Sequence, residues 1–131
     1  MEDKIRRHFD QIITAAKSLL NNIKIEEDIS IKRALLQISG KYESFEVKVT
    51  EIIDEKKRKY VYYLIKKGVV EYGCDNAPDI KALKKKYGKD YSKHLHEPIP
   101  HSHGKGKKTI ELTDEMDAKK FFKKIKAFKS E

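Results

Sequence analysis

Four of the five histidines lie between residues 94 and 103 of the chain. They form two His-x-His pairs, His94 with His96 and His101 with His103, separated by four residues. The ordinary pKa of histidine lies near neutrality, so one imidazole can accept a proton while another donates one. Two such groups beside a phosphodiester can activate a ribose 2′-hydroxyl and protonate the leaving oxygen. The pattern therefore predicts acid–base catalysis on RNA with no metal and no cofactor.

Two other interpretations of these histidines stay open. In an extended segment both imidazoles of a His-x-His pair lie on one side, so the two pairs can converge on one transition-metal ion. Cys74 and Asp75 can add ligands if the stretch folds back onto the preceding strand. The spacing matches none of the zinc-finger patterns. The third interpretation is a solvated loop that merely contains histidines.

Positive charge is concentrated in the second half of the 131-residue chain. The formal net charge is +9, with −1 in residues 1–54 and +10 in residues 55–131. Such an excess attracts polyanions. Lys105, Lys107 and Lys108 follow the histidines directly, and we expect them to hold phosphate groups. A basic module that binds nucleic acid or an acidic partner without chemistry is the alternative function.

Further candidate residues lie on the preceding strands. Asp75-Asn76-Ala77-Pro78 ends a strand, where Asp75 is placed to orient a histidine and Asn76 to contact a phosphate or a base edge. A turn that stops the strand explains the same residues. Tyr62 is a candidate for stacking on a base from an exposed sheet face, with core packing as the alternative.

Hydrophobic periodicity predicts a single α+β domain over residues 1–131. The first helix is expected at 3–23, followed by a polar connector at 25–28. Period-2 alternation predicts an antiparallel meander of three to five strands. These elements are followed by a histidine-rich basic loop and a C-terminal helix capped by Thr113. The predicted ranges are 29–38, 44–53, 60–66, 69–74 and 109–112 for strands, 79–87 for a short helix and 88–108 for the loop.

Composition excludes several classes of protein. One cysteine cannot form an internal disulfide framework, which favours a reducing compartment. No apolar run approaches the ~20 residues that span a bilayer, and the N-terminal residues contain no apolar signal core. We therefore expect a cytoplasmic protein without a membrane partner. The excess of lysine, 26 against 4 arginines, with few Gln and Asn is typical of hyperthermophiles.

The strands YVYYLIKKGVVEYGCDNAP and the later PHSHG resemble the TumE-like family of toxin–antitoxin proteins. Asp75-Asn76-Ala77-Pro78 is similar to the first motif of that family, and Pro100, His101 and His103 are similar to the second. The chain departs from the pattern at Asp79, where the family usually has histidine, and in the longer, more basic segment 79–99. The resemblance covers about residues 40–104. It implies a toxin neutralised by a cognate antitoxin protein, with ribonuclease activity as a reasonable inference.

Overall fold

The computed structural model describes residues 2–129. A single antiparallel sheet of seven strands forms the framework, and each strand pairs with the next one in the sequence. This arrangement confirms the α+β class with an N-terminal helix, a meander and a C-terminal helix, although the sheet has seven strands rather than three to five. The strands are β1 Asn21–Ile29, β2 Arg33–Tyr42, β3 Phe45–Asp54, β4 Arg58–Lys66, β5 Val69–Asp75, β6 His101–His103 and β7 Ile110–Leu112. The helices are α1 Glu2–Leu19, α2 Ile80–Tyr87 and α3 Ala118–Ile125.

The first helix is shorter than its periodicity predicts. It ends at Leu19, and β1 begins two residues later, so the predicted connector at 25–28 is part of a strand. Residues 24–29 pair in register with β2, from Lys24 opposite Ser39 onward. Backbone pairing along the edge of the sheet therefore outweighs the helical spacing of the last apolar residues. Within residues 2–129 no helix is both long and apolar enough to cross a membrane.

The predicted histidine-rich loop is folded. Residues 88–94 and 105–107 form short 3₁₀ segments, and the second His-x-His pair is strand β6, which lies between β5 and β7. A run of three strand residues is too short for a periodicity argument to detect. The start of α3 also differs, because Asp117 rather than Thr113 caps it by accepting a hydrogen bond from the backbone N–H of Lys120.

Helices cover both faces of the sheet. Helices α1 and α3 pack against the face that holds the main core, and α2 packs at the β5–β7 end of the opposite face. The rest of that opposite face, over β1, β2 and β3, carries polar residues. The main core contains Phe9, Ile12, Ala16, Leu20, Ala34, Leu36, Ile38, Phe45, Val47, Val49, Tyr60, Tyr62, Leu64, Cys74, Ala118, Phe121, Phe122 and Ile125.

One buried carboxylate in this core joins three elements. Glu51 of β3 is fully buried, and its Oε1 lies 3.0 Å from Nε of Arg58 and 2.7 Å from Nε2 of His8 in α1. The Tyr62 hydroxyl donates to the other carboxylate oxygen. Arg58 also donates to the backbone carbonyl of Met116, which precedes α3, at 2.7 Å. The charges are thus paired inside the core, as buried charges must be.

The protonation of Glu51 makes this network sensitive to acid. Burial raises the pKa of the Glu51 carboxyl, but hydrogen bonds from His8, Arg58 and Tyr62 outweigh it and hold the pKa below its ordinary value of 4.5. A carboxyl with a lowered pKa stabilises the folded state above its unfolded pKa, and the contribution is lost as the pH falls through the folded pKa.

We expect Glu51→Gln to lower the free energy of unfolding by about 2–3 kcal/mol at neutral pH, because it removes the buried charged partner of Arg58 and leaves Glu115, which is 55% exposed, as its charged partner. The difference from wild type should shrink as the pH falls below the pKa of Glu51, where both side chains are neutral. Urea unfolding followed by circular dichroism over this pH range measures both effects. Glu46→Gln, on the exposed side of the same strand, is the control and should change stability by less than about 0.5 kcal/mol. Equal losses in the two variants would contradict this account.

Candidate functional site

Strand pairing brings Asp75 and two histidines to one face of the sheet. Asp75 is the last residue of β5 and pairs with His101 in β6, while Gly73 pairs with His103. Directly paired residues of antiparallel strands carry their side chains on the same face. The carboxylate and both imidazoles are therefore neighbours, and all three side chains are buried. Below, these three residues are called the His–Asp cluster.

The Asp75 carboxylate lies between the two imidazole rings. Its Oδ1 is 3.3 Å from Nε2 of His101, and its Oδ2 is 3.3 Å from Nε2 of His103. The rings meet edge to face, with centroids 4.8 Å apart. Oδ1 also accepts a hydrogen bond of 2.9 Å from the backbone N–H of Ala77, which fixes the carboxylate in the turn after β5. One carboxylate thus faces both rings.

A backbone carbonyl determines the orientation of His101. Nδ1 of His101 lies 2.6 Å from the carbonyl oxygen of Ile99. A carbonyl oxygen only accepts hydrogen bonds, so Nδ1 carries a hydrogen and Nε2 faces Asp75. Since His101 is only 1% exposed, neither of its nitrogens is free to reach a polymeric substrate.

His103 is the other ring of the cluster and is held differently. Its Nε2 faces Asp75, whereas its Nδ1 is buried without a hydrogen-bond partner among residues 2–129. Burial lowers the pKa of His103 below its ordinary value of 6.5, and the neighbouring His101 lowers it further, although Asp75 and Asp79 act in the opposite direction. A neutral imidazole is therefore favoured at this position.

Tyr63 and Lys107 lie beside the cluster and were not predicted as a pair. Tyr63 of β4 is opposite Gly73, and its ring covers the glycine so closely that an added Cβ would lie 2.4 Å from Cδ1. Lys107 places its Nζ 4.7 Å from the centre of that ring. A hydrogen bond with Tyr63, supported by the charge of Asp75, raises the pKa of the Lys107 ammonium above 10.5. A cation and a phenol thus flank the His–Asp cluster.

The first His-x-His pair does not join the second. Nδ1 of His94 is 2.6 Å from Oε2 of Glu97, and its ring stacks on Tyr87 with centroids 3.6 Å apart. Hydrogen bonds from Tyr87 and then His94 lower the pKa of Glu97 below its ordinary value of 4.5. His96 is exposed and lines a separate cleft of about 280 Å³ next to Pro98. The two pairs therefore do not converge on a single ion.

Tyr62 and Asn76, expected to contact substrate, have structural partners instead. Tyr62 is fully buried on the opposite face, within the Glu51 network. Asn76 is also buried: its Oδ1 accepts from the Tyr60 backbone N–H at 3.1 Å, and its Nδ2 donates to the Arg58 carbonyl at 2.8 Å. Their positions therefore correct the expectation of substrate contact, because the groups that would bind RNA are used inside the fold.

The three lysines predicted to bind phosphate lie between strands β6 and β7. Lys105, Lys107 and Lys108 are all exposed in the connection between β6 and β7. Only Lys107 of the three has a described contact with a residue beside the cluster. Cys74 lies on the opposite face, and burial raises its pKa to about 12, so it is neither a ligand of this cluster nor a reactive thiol.

A row of side chains leads across the sheet to His103. The strand registers place Lys24 opposite Ser39, Ser39 opposite Lys48, and Lys48 opposite Tyr63. All of them share the face that carries the His–Asp cluster. The first part of this row lines an open groove of about 490 Å³. We call this line of side chains, which runs from Lys24 through Ser39 and Lys48 to Tyr63, the lysine row.

Several site residues carry no signal in the sequence. Tyr63 is one of three tyrosines in β4, and only the register with Gly73 shows which one lies beside the cluster. Asp79 departs from the family pattern; it caps α2 by accepting from the Ala82 N–H at 3.0 Å and places its charge near His103. Ile99 orients His101 through its backbone carbonyl, and any residue type at this position would offer the same group.

Comparison with known proteins gives no match: no family model, curated protein or solved structure is similar to this chain at a significant level. The similarity to TumE-like toxins therefore stays a prediction that rests on the motifs quoted above.

We expect Gly73→Ala to lower the free energy of unfolding by about 1–3 kcal/mol, because the new Cβ collides with the Tyr63 ring. In a Tyr63→Ala background the same change should cost much less, since the collision is removed. Urea unfolding of the four proteins in this double-mutant cycle measures the coupling. An equal cost of Gly73→Ala in both backgrounds would show that the ring does not cover the glycine.

Proposed function

We propose that this protein is the toxin of a toxin–antitoxin pair and that it cleaves RNA at the His–Asp cluster. The observation that supports this proposal is the single carboxylate, Asp75, facing His101 and His103 at the end of a face that carries lysines. Histidines at a phosphodiester can transfer the protons that cleavage requires.

The partners of each group suggest their roles. His103 is the proton-transferring residue, because its Nδ1 has no hydrogen-bond partner among residues 2–129, whereas Nδ1 of His101 is bound to the Ile99 carbonyl. Asp75 and His101 position it. Lys107, on the Tyr63 ring, is the cation that stabilises charge developing on the phosphate. His94 and His96 have no part in this assignment, since their contacts lie elsewhere.

The lysine row provides a path for the substrate. Lys24 and Lys48 outnumber Glu26 in the lining of the open groove and attract phosphates there, and Tyr63 offers an aromatic surface next to the cluster. A single strand suits this open face better than a duplex, because its bases are free to stack. We place the protein in the cytoplasm, with cellular RNA as substrate and a cognate antitoxin protein as partner.

We expect His103→Ala to reduce the rate of RNA cleavage by about 10²–10⁴-fold, because it removes the proton-transferring group. The assay follows a labelled single-stranded RNA with purified protein over a range of temperatures. His96→Ala is the matched control, a histidine outside the cluster, and should cleave at the wild-type rate. Growth should run in the opposite order: cells that express wild type or His96→Ala should arrest, and cells that express His103→Ala should grow.

A folded His103→Ala protein that cleaves RNA as fast as wild type would contradict the catalytic assignment. Intact RNA with every protein, together with salt-dependent binding, would favour the alternative of a non-catalytic nucleic-acid-binding module. The burial of His101 and His103 favours that alternative, because a buried imidazole does not contact a bound RNA directly.

We expect Lys48→Ala to weaken RNA binding and to reduce the slope of log affinity against log salt by about 0.7, the loss of one phosphate contact on a single strand. Fluorescence anisotropy over a series of salt concentrations measures the slope. Lys17→Ala, an exposed lysine of α1 outside the groove, should leave the slope unchanged. The same slope for all three proteins would exclude the groove as the RNA path.

A further inference from the structure

We propose that Asp75, His101 and His103 bind one divalent transition-metal ion of the zinc type. These residues are drawn from two paired strands, and each offers a ligand atom within 4.8 Å of the other two. Two imidazoles and one carboxylate form a ligand set used by catalytic zinc and iron sites, which keep further positions open. The assignment rests on ligand geometry alone, so it does not depend on RNA cleavage.

The spacing of the ligand atoms fits a shared ion better than it fits direct hydrogen bonds. A charge-assisted hydrogen bond between an imidazolium and a carboxylate has a length of about 2.7–2.9 Å. Both nitrogen–oxygen distances in the cluster are 3.3 Å. Ligands about 2.1 Å from a tetrahedral ion lie about 3.4 Å from one another. Each imidazole nitrogen therefore lies at the spacing of a neighbouring ligand from its own oxygen of Asp75, His101 from Oδ1 and His103 from Oδ2, which suits an ion held by both oxygens of the carboxylate.

The hydrogen bond of His101 supports the same conclusion. Its Nδ1 donates to the Ile99 carbonyl, so Nε2 is the ring nitrogen directed at Asp75. Nε2 is therefore the nitrogen that can coordinate an ion, and coordination requires it without its proton. A carbonyl on the far nitrogen is also the usual way in which metal-bound histidines are oriented.

The surrounding charges favour a cation inside the cluster and an anion outside it. Asp79 adds a second negative charge that acts on His103, while Lys107 lies beyond it on the Tyr63 ring. Three protein ligands leave at least one position for water or a phosphate oxygen. In terms of the proposed function, the bound ion would take over the activation of this oxygen as a Lewis acid, and His103 would be a ligand rather than the group that transfers the proton.

Titration with Zn²⁺ and Co²⁺ of EDTA-treated protein, purified without a histidine tag, tests the site. We expect one equivalent to bind, and Co²⁺ to give the visible absorption of a low-coordinate site. Asp75→Asn, His101→Ala and His103→Ala should each lower the affinity by at least the 10–100-fold that outer-shell changes cause. The His94→Ala/His96→Ala double variant is the matched control and should bind as wild type does.

The assignment is overturned if the wild-type protein does not bind one equivalent of Zn²⁺ or Co²⁺. It is also overturned if the His94→Ala/His96→Ala variant loses binding while the Asp75, His101 and His103 variants keep it. Should the cluster variants not fold, the wild type still decides: Zn²⁺ must shift the imidazole ¹⁵N resonances of His101 and His103 and leave those of His94 and His96 in place. Ion binding without RNA cleavage would keep the metal site and reject the nuclease, so the two proposals fail separately.

Discussion

The register between β5 and β6 is the constraint on which the site depends. Three residue pairs hold β6 against β5, and two of those pairs place His101 and His103 on the face of Asp75. Because side chains alternate along a strand, a shift of one residue would turn both histidines toward the main core. Three pairs provide few hydrogen bonds, so the strand needs other support. Ile99 supplies part of it, because its backbone N–H donates to the Asn76 carbonyl and extends the pairing by one step.

Packing and polar contacts from both faces hold this register. On the face of the His–Asp cluster, Ala82 and Leu83 of α2 pack with Ile99 and Ile110, which flank β6 in the chain. On the other face, Glu51 binds Arg58, whose backbone carbonyl accepts from the side chain of Asn76. Asn76 follows Asp75 directly. A buried charge network in the core is thus connected through two residues to the carboxylate of the site.

The sequence predicted the parts of this molecule that are long and regular. The alternation in β3 and β4 is visible because each strand buries one side chain in two against α1 and α3. Strand β6 escaped detection because it has three residues and its buried side chains are histidines. The His-x-His spacing singled out all four histidines of residues 94–103, and the turn residues singled out Asp75. No local pattern could separate them from His94 and His96, since only strand pairing decides which pair meets the carboxylate. Tyr62 was misjudged for a related reason: a tyrosine looks the same on either face of a strand until the helices that cover the sheet are placed.

The burial of the cluster narrows the ways in which it can act. A histidine pair that transfers protons unaided must present a nitrogen to the substrate, yet the two rings are 1% and 7% exposed and direct their Nε2 atoms at one carboxylate. Burying the Asp75 carboxylate costs free energy unless a charge or hydrogen bonds offset its loss of hydration. The proposed ion, held by these three groups, would offset that loss and would present a coordination position that a phosphate oxygen can occupy. In the proposed function the lysine row would have a distinct task, which is to bring a polyanion to a centre that is itself too deep to capture one. Under this proposal the surface lysines would act on the approach of the RNA, and the ion in the site would act on one phosphodiester bond.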